Sequence, residues 1–395
     1  MATIFDEKVN RRNTGCMKWD VAENELPMWV ADMDFETAPE VKKAIIERAQ
    51  QGVFGYTLIM DEWYEAYQNW WQHRHHFQIE KEWLIFCTGV VPAISSIVRK
   101  MTTVAENVVV MTPVYNIFFN SIYNNGRNIL ESPLVYENGA YHIDFEDLEE
   151  KLADPQTTLL ILCNPHNPVG KIWDRENLGR IGELCAKHHV LVLSDEIHCD
   201  LTVPTKAYVP FASVSDVCKY NSITCIAPTK AFNIAGIQTA AVMIPDPVIR
   251  HKVNRGLNTD EVAEPNVFAA VAPVAAFNEG EKWLDNLRQY LWENRQYAEA
   301  FIKTEIPDIH AIKGEATYLL WLDCREVSEG IPELAGFIRE KTGLYLSDGT
   351  EYRNGTGFLR MNLACQRNTL KEGLQRLKAG IAACLEKDGA NRSEK

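Results

Sequence analysis

Residues 158–198 read TLLILC-NPHNPVG-KIWDRENLGRIGELCAKHH-VLVLS-DEIH. Two short, almost unbroken apolar runs (158–163 and 190–194) flank a segment, Glu176 to His188, whose apolar positions Leu178, Ile181, Leu184 and Cys185 recur at helical spacing. A strand needs a continuous apolar run, not an alternating one, when both of its faces are covered. Strand, helix and strand in that order build a parallel pair with the helix packed across it.

The same rhythm extends in both directions. LIFC (84–87), NVVVM (107–111), SITCIA (222–227) and TAAVMI (239–244) are runs of the same kind. Together they predict an α/β fold with a mostly parallel central sheet and helices on both faces. From Asn266 to about Thr304 the pattern is helical; LLWLD (319–323), a helix near Ile331 to Lys341 and FLRMNLA (358–364) follow. That mixture predicts a smaller α+β domain. The expected division is a large domain over 46–275 and a small one over 1–45 together with 276–395. The tail after Glu386, charged and built of small residues, is expected to fray.

Composition narrows the function. With 395 residues, 46% hydrophobic and 24% charged, the chain has the makeup of a globular protein. A formal net charge of −14 argues against a nucleic-acid or anionic-membrane partner, because phosphates repel it. The start, MATIFDEKVNRRNTG, has no apolar core of a signal peptide, and the apolar stretch Val267 to Phe277 is far too short to span a bilayer. Ten cysteines stand singly, with no C-x-x-C pair. They read as free thiols in a reducing, cytoplasmic setting, with no metal site.

Ligands of open α/β sheets bind beyond the carboxyl ends of the strands. After LIFC comes Thr88-Gly89-Val90-Val91; after TLLILC comes Asn164-Pro165-His166-Asn167-Pro168-Val169-Gly170. Asp195-Glu196-Ile197-His198 follows VLVLS, and Pro228-Thr229-Lys230 follows SITCIA. One sheet edge thus gathers a small-residue turn, an amide, a carboxylate and a lysine.

Asn167-Pro168-x-Gly170, Asp195, Thr229-Lys230-x-Phe232-Asn233-x-Ala235-Gly236 and Leu359-Arg360-x-Asn362-x-Ala364, in this order, resemble the fold-type I aminotransferase superfamily. Its members share the pyridoxal phosphate (PLP)-dependent transferase fold. Lys18-Trp19-Asp20, Leu26 to Phe35, the segment 165–170 and Ser194 to His198 resemble more narrowly the MalY/PatB group of cystathionine β-lyases, or C–S lyases. The resemblance implies a PLP enzyme in which Lys230 holds the cofactor as a Schiff base and then moves the substrate α-proton.

It also implies the remaining roles. Asp195 would pair with the pyridinium nitrogen, although a carboxylate at a strand-to-helix junction is also a common cap. Asn167 would hold the phenolate oxygen, although Asn before Pro is also a common turn. Val90 and Val91 would bind the phosphate through backbone N–H groups at a helix start, with Thr229 adding a hydroxyl. Tyr115 would stack on the ring, and Tyr56 would reach the phosphate of the neighbouring subunit, making the enzyme a homodimer. Arg360 would grip the substrate carboxylate, and Trp29 would line the side-chain pocket; a core tryptophan is an equal alternative.

Two positions depart from the common superfamily pattern. Gln238 stands where many members carry a second phosphate-binding arginine, and His198 where many carry tyrosine. His73, His75 and His76 cluster as H-x-H-H, and a solvated helix end explains them better than a metal site. The expected reaction is α,β-elimination from cystathionine or another cysteine S-conjugate to a thiol, pyruvate and ammonia. An aminotransferase of an amino acid would use the same residues. A rival of another class is a regulatory protein acting through a protein partner, since one member of the resembled branch represses a sugar regulon.

Overall fold

The computed structural model describes residues 3–328, 331 and 333–393. Seven strands form the central sheet: β1 (Leu84–Cys87), β2 (Asn107–Thr112), β3 (Asn128–Pro133), β4 (Thr157–Cys163), β5 (Leu191–Asp195), β6 (Ser222–Ile226) and β7 (Ala240–Met243). Their order is β1-β7-β6-β5-β4-β2-β3. Only β7 runs antiparallel to its neighbours; the other pairs are parallel. The expected mostly parallel sheet is therefore present. Because β7 reverses twice, β1 points the same way as β6, and their carboxyl ends share one edge.

Successive strand side chains point to opposite faces, so an unbroken apolar run supplies two cores. Val108, Val110, Leu159 and Ile161 pack on one face with Ala93, Ile94 and Ile97 of α3 (Val90–Met101). Val109, Met111, Leu160 and Leu162 pack on the other with Leu178, Ile181 and Cys185 of α4 (Arg175–Lys187). Each such side chain contributes roughly 1.5–3 kcal/mol on burial. Asp174 starts α4 by accepting the N–H of Asn177 at 2.8 Å.

Before the sheet come α1 (Pro39–Gln50) and α2 (Asp61–His75); after it come α5 (Val267–Glu279) and a helix over Glu281–Glu305. The expected domain limits at 45/46 and 275/276 fall inside α1 and α5, which pack against each other. A second, antiparallel sheet holds β8 (His310–Ala311), β9 (Leu319–Asp323), β10 (Ser347–Asp348) and β11 (Phe358–Asn362), in the order β8-β9-β11-β10. Its helix α6 spans Leu334–Thr342, starting later than the expected Ile331. The last helix, α7 (Arg367–Ser393), runs past Glu386, into the tail where fraying was expected.

The glycine of Asn167-Pro168-x-Gly170 joins the two sheets. Gly170 has φ +70°, and a Cβ there would lie 3.0 Å from the Ala316 carbonyl oxygen and 3.2 Å from the Gly314 Cα. Its own carbonyl accepts N–H groups of Glu315 at 2.7 Å and Ala316 at 3.0 Å. A side chain would separate these segments.

Candidate active site

Where β1, β4, β5 and β6 end, a cavity of ≈ 250 Å³ opens. Among the residues lining it are Val90, Val91, Tyr115, Asn167, Asp195, His198, Thr229 and Lys230. Eight of the residues singled out in the sequence thus meet around one space. Gln238 also lines it. Arg360 joins at the wall, donating from Nη1 to Asn167 Oδ1 at 3.2 Å.

Each group is held by its local structure. Asp195 closes β5, and its Oδ1 accepts the Ile197 N–H at 3.1 Å. A turn follows, not a helix, so the carboxylate caps nothing longer than that turn. Burial pushes its pKa up to about 6, with the Ile197 N–H and Lys230 opposing. Lys230 is brought down to about 8, first by burial and then by the Arg360 charge. Burial, then Lys230 and Arg360, lowers His198 to about 3, so its imidazole is neutral. Burial raises the Tyr115 phenol to about 12.

α3 begins at Val90 with Gly89 as its N-cap, and no side chain caps it. Its first N–H groups are therefore free of side-chain acceptors at a cavity wall, a setting suited to an anion. Among the described residues Asp195 makes no ion pair, and His198 Nδ1 is buried without a partner. A buried acid, an uncapped helix start and a buried amine around one cavity fit a phosphorylated pyridine cofactor of the kind the resemblance implies.

Two expected residues stand elsewhere. The Trp29 indole stacks on Tyr345 with centroids 4.7 Å apart and is not among the cavity-lining residues. Its carbonyl accepts Arg360 Nη2 at 3.0 Å instead. Tyr56 is fully exposed and does not line the cavity of its own chain.

Sequence reasoning passed over the strap that covers the lysine. Lys230 Nζ donates to the Ala31 carbonyl at 2.5 Å, and the Tyr318 hydroxyl donates to the same oxygen at 2.9 Å. Asn233 accepts the Met33 N–H at 3.0 Å and donates to the Met33 and Phe35 carbonyls at 3.0 and 2.8 Å. Asn362 donates to the Val30 and Asp32 carbonyls at 2.6 and 2.7 Å. Arg11 bonds Asp32 at 2.6 Å and Asp34 at 2.8 Å, and buried Lys18 bonds Asp34 at 2.8 Å. Lys18-Trp19-Asp20 and Leu26 to Phe35 carry the family resemblance in the sequence, but apart from Trp29 none of these residues is assigned to the site there.

The histidine cluster needs correction. His75, expected in solvent, is buried, with Nε2 3.0 Å from Asp200 Oδ1. His75, Cys199 and Asp200 bring possible ligand atoms within 4.8 Å of one another. Asp200 is, however, already held by Trp70 Nε1 at 3.1 Å to each oxygen, with Arg74 at 3.8 Å. That places a fixed cation beside the carboxylate, so the group is a hydrogen-bonded hub. His73 is exposed and meets Glu281 at 3.1 Å.

A mostly parallel sheet with lysine, aspartate and asparagine at its carboxyl edge defines a class of enzyme that handles amino acids through a bound carbonyl cofactor. The profile of the family "Aminotransferase class I and II" matches residues 23–377, and the chain belongs to that family. It is 44% identical over 385 residues to "Cystathionine beta-lyase PatB" of Bacillus subtilis, covering 96% of this chain and 100% of that protein. "Protein MalY" of Escherichia coli is 31% identical, over 96% of this chain and 99% of its own. Among solved structures, PLP-containing cystalysin of Treponema denticola superposes with a TM-score of 0.93 at 32% identity, covering 97% of this chain and 100% of that one. A PLP-bound C–S lyase of Staphylococcus hominis gives a TM-score of 0.91 at 32% identity, with 96% and 98% covered. No helix among the described residues is long and apolar enough to cross a membrane.

Proposed function

We propose that the chain is a PLP-dependent carbon–sulfur lyase. It cleaves cystathionine or another cysteine S-conjugate by α,β-elimination to a thiol, pyruvate and ammonia, consuming one water. The observation that carries this choice is the 44% identity to PatB along essentially the whole of both chains. An aminotransferase would use the same residues up to loss of the α-proton, so the relatives, not the site, favour elimination.

The bound cofactor supplies an electron sink for charge at the substrate α-carbon. Lys230 holds it and, once released, its amine takes the proton from Cα. Burial beside Arg360, which lowers the Lys230 pKa to about 8, favours the neutral amine that both tasks need. Asp195 keeps the ring nitrogen protonated, and Asn167 donates to the phenolate oxygen. Tyr115, which lines the same cavity, would pack against the ring, with neutral His198 as a further wall. Val90 and Val91 amides and the Thr229 hydroxyl hold the phosphate, with Gln238 in place of a second arginine.

Arg360 grips the substrate carboxylate. Its three side-chain hydrogen bonds, to Asn167, Trp29 and Ser347, leave Nε buried without a partner, an unspent donor for an anionic oxygen. Trp29 serves the substrate end of the site through its carbonyl.

Tyr56 of the partner subunit completes the phosphate site in a homodimer. Its exposure supports this, as does that of its apolar neighbours Val53, Phe54, Leu58 and Met60. A cytoplasmic location, with neither nucleic acid nor membrane as partner, belongs to the same proposal.

The test is stoichiometry. Purified PLP-loaded protein given L-cystathionine should release thiol and pyruvate in equal amounts, and Lys230→Ala should release neither. A thiol without pyruvate would refute elimination.

A further inference from the structure

Arg360 leans on a carbonyl that lies outside regular structure. Trp29 O accepts both Arg360 Nη2 at 3.0 Å and Ser347 Oγ at 3.2 Å, yet Trp29 belongs to no helix or strand. Main-chain bonds hold its neighbour, since Met28 N donates to Tyr345 O and Asn362 N to Met28 O, both at 2.8 Å. Asn362 Nδ2 holds the Val30 carbonyl on the other side at 2.6 Å, and the Trp29 side chain adds a hold of its own.

That side chain is one end of a column. The Trp29 indole stacks on the Tyr345 ring at 4.7 Å and 12°. The Arg339 guanidinium carbon stands 3.7 Å from the same ring's centroid. At that distance it leaves no room for an indole on its own face, so Tyr345 is sandwiched between the two. Arg339 is fixed in turn by two parallel bonds to Glu25, at 2.6 and 2.9 Å. Indole, phenol, guanidinium and carboxylate come from two stretches of chain, 25–29 and 339–345, which pair in parallel at Leu26–Leu344 and Pro27–Tyr345. The Arg339 end is 35% exposed and Glu25 14%.

We infer that Tyr345 and Arg339 are positioning residues for substrate binding. They clamp the Trp29 indole, which fixes the carbonyl that aims Arg360 at the substrate carboxylate. The inference rests on the assignment of Arg360 to that carboxylate. A planar guanidinium locked by a bidentate carboxylate is a rigid base for an aromatic stack, and lysine at position 339 would not replace it. Because carboxylate binding is the same before and after proton removal, a loosened grip lowers affinity and leaves the chemical step alone.

The experiment measures KM and kcat for L-cystathionine on PLP-loaded wild type, Tyr345→Ala, Tyr345→Phe, Arg339→Met and Arg360→Lys. Tyr345→Ala should raise KM about five- to tenfold with kcat nearly unchanged. Tyr345→Phe, which keeps the ring, should restore the wild-type KM. Arg339→Met, at the more exposed end of the column, should raise KM about threefold. Wild-type KM in both Tyr345→Ala and Arg339→Met, with KM raised in Arg360→Lys, overturns the column's role and leaves the carboxylate assignment standing. A fall in kcat at constant KM also overturns it. Wild-type KM in Arg360→Lys overturns the carboxylate assignment itself.

Discussion

Arg360 Nη1 and Asn167 Oδ1 are 3.2 Å apart, so the arginine assigned to the substrate and the amide assigned to the cofactor hold each other. They lie 193 positions apart in the chain, one on the strand β11 and the other beyond the end of β4. A hydrogen bond to a charged group contributes about 1.5–3 kcal/mol. Asn167→Ala should therefore lower kcat/KM about 10- to 100-fold and raise KM as well as weaken cofactor retention. Combining it with Arg360→Lys should cost less than the sum of the two single changes. Additive losses in steady-state kinetics would show that the two residues act separately.

The lowered pKa of Lys230 sets a pH dependence for cofactor capture. Only the neutral amine attacks an aldehyde, and a shift from 10.5 to about 8 raises its neutral fraction near pH 7 about 300-fold. The rate at which apoprotein takes up PLP should rise with pH and level off above about 8. Stopped-flow absorbance checks it; a rate still climbing in step with hydroxide at pH 10 would show an ordinary lysine.

Asp195 makes an opposite, thermodynamic prediction for the apoprotein. Its folded pKa of about 6 lies above the ordinary 3.8, so between these values the folded state binds the proton more tightly. Stability from this group is full below pH 3.8 and declines until about pH 6. Above that window the loss amounts to about 3 kcal/mol. Asp195→Asn, which carries no charge, should make the apoprotein more stable than wild type at pH 8 by an amount of that order, while abolishing activity. Urea unfolding of both apoproteins at pH 4 and pH 8 measures it, and an equal gap at the two pH values would refute it.

The parts legible in the sequence were those in which local pattern and chemistry coincide. Leu159 to Cys163 and Val190 to Leu193 read as buried strands because every position is apolar, and the groups after them had to reach the sheet edge. Asp195, Asn167 and Lys230 were found in this way. The Ala31 carbonyl carries no such signal, since its contact with the Lys230 amine spans 199 positions and involves only its own backbone. His75 read as solvated because its neighbours in sequence are polar, yet Asp200, 125 positions away, buries it. Trp29 was noticed for its side chain and meets Arg360 through its carbonyl. Tertiary contact decided these, where sequence spacing is silent.

A mixed dimer tests the assignment of Tyr56. If Tyr56 of the partner subunit completes each site, Tyr56→Phe and Lys230→Ala defects complement. A hybrid of the two has one site with both faults and one with neither. Refolding or co-expressing equal amounts should restore activity to about a quarter of the wild-type level, since half of the dimers are hybrids with one good site each. Activity no higher than the mean of the two parents would place Tyr56 outside its neighbour's site.

The most direct measurement is of pyruvate released from L-cystathionine by the PLP-loaded protein with no keto acid present. The lyase assignment predicts continuous turnover, with pyruvate accumulating far beyond the enzyme concentration and unaffected by added 2-oxoglutarate. Turnover that stops after one equivalent and resumes only when a keto acid is supplied would contradict it and identify an aminotransferase.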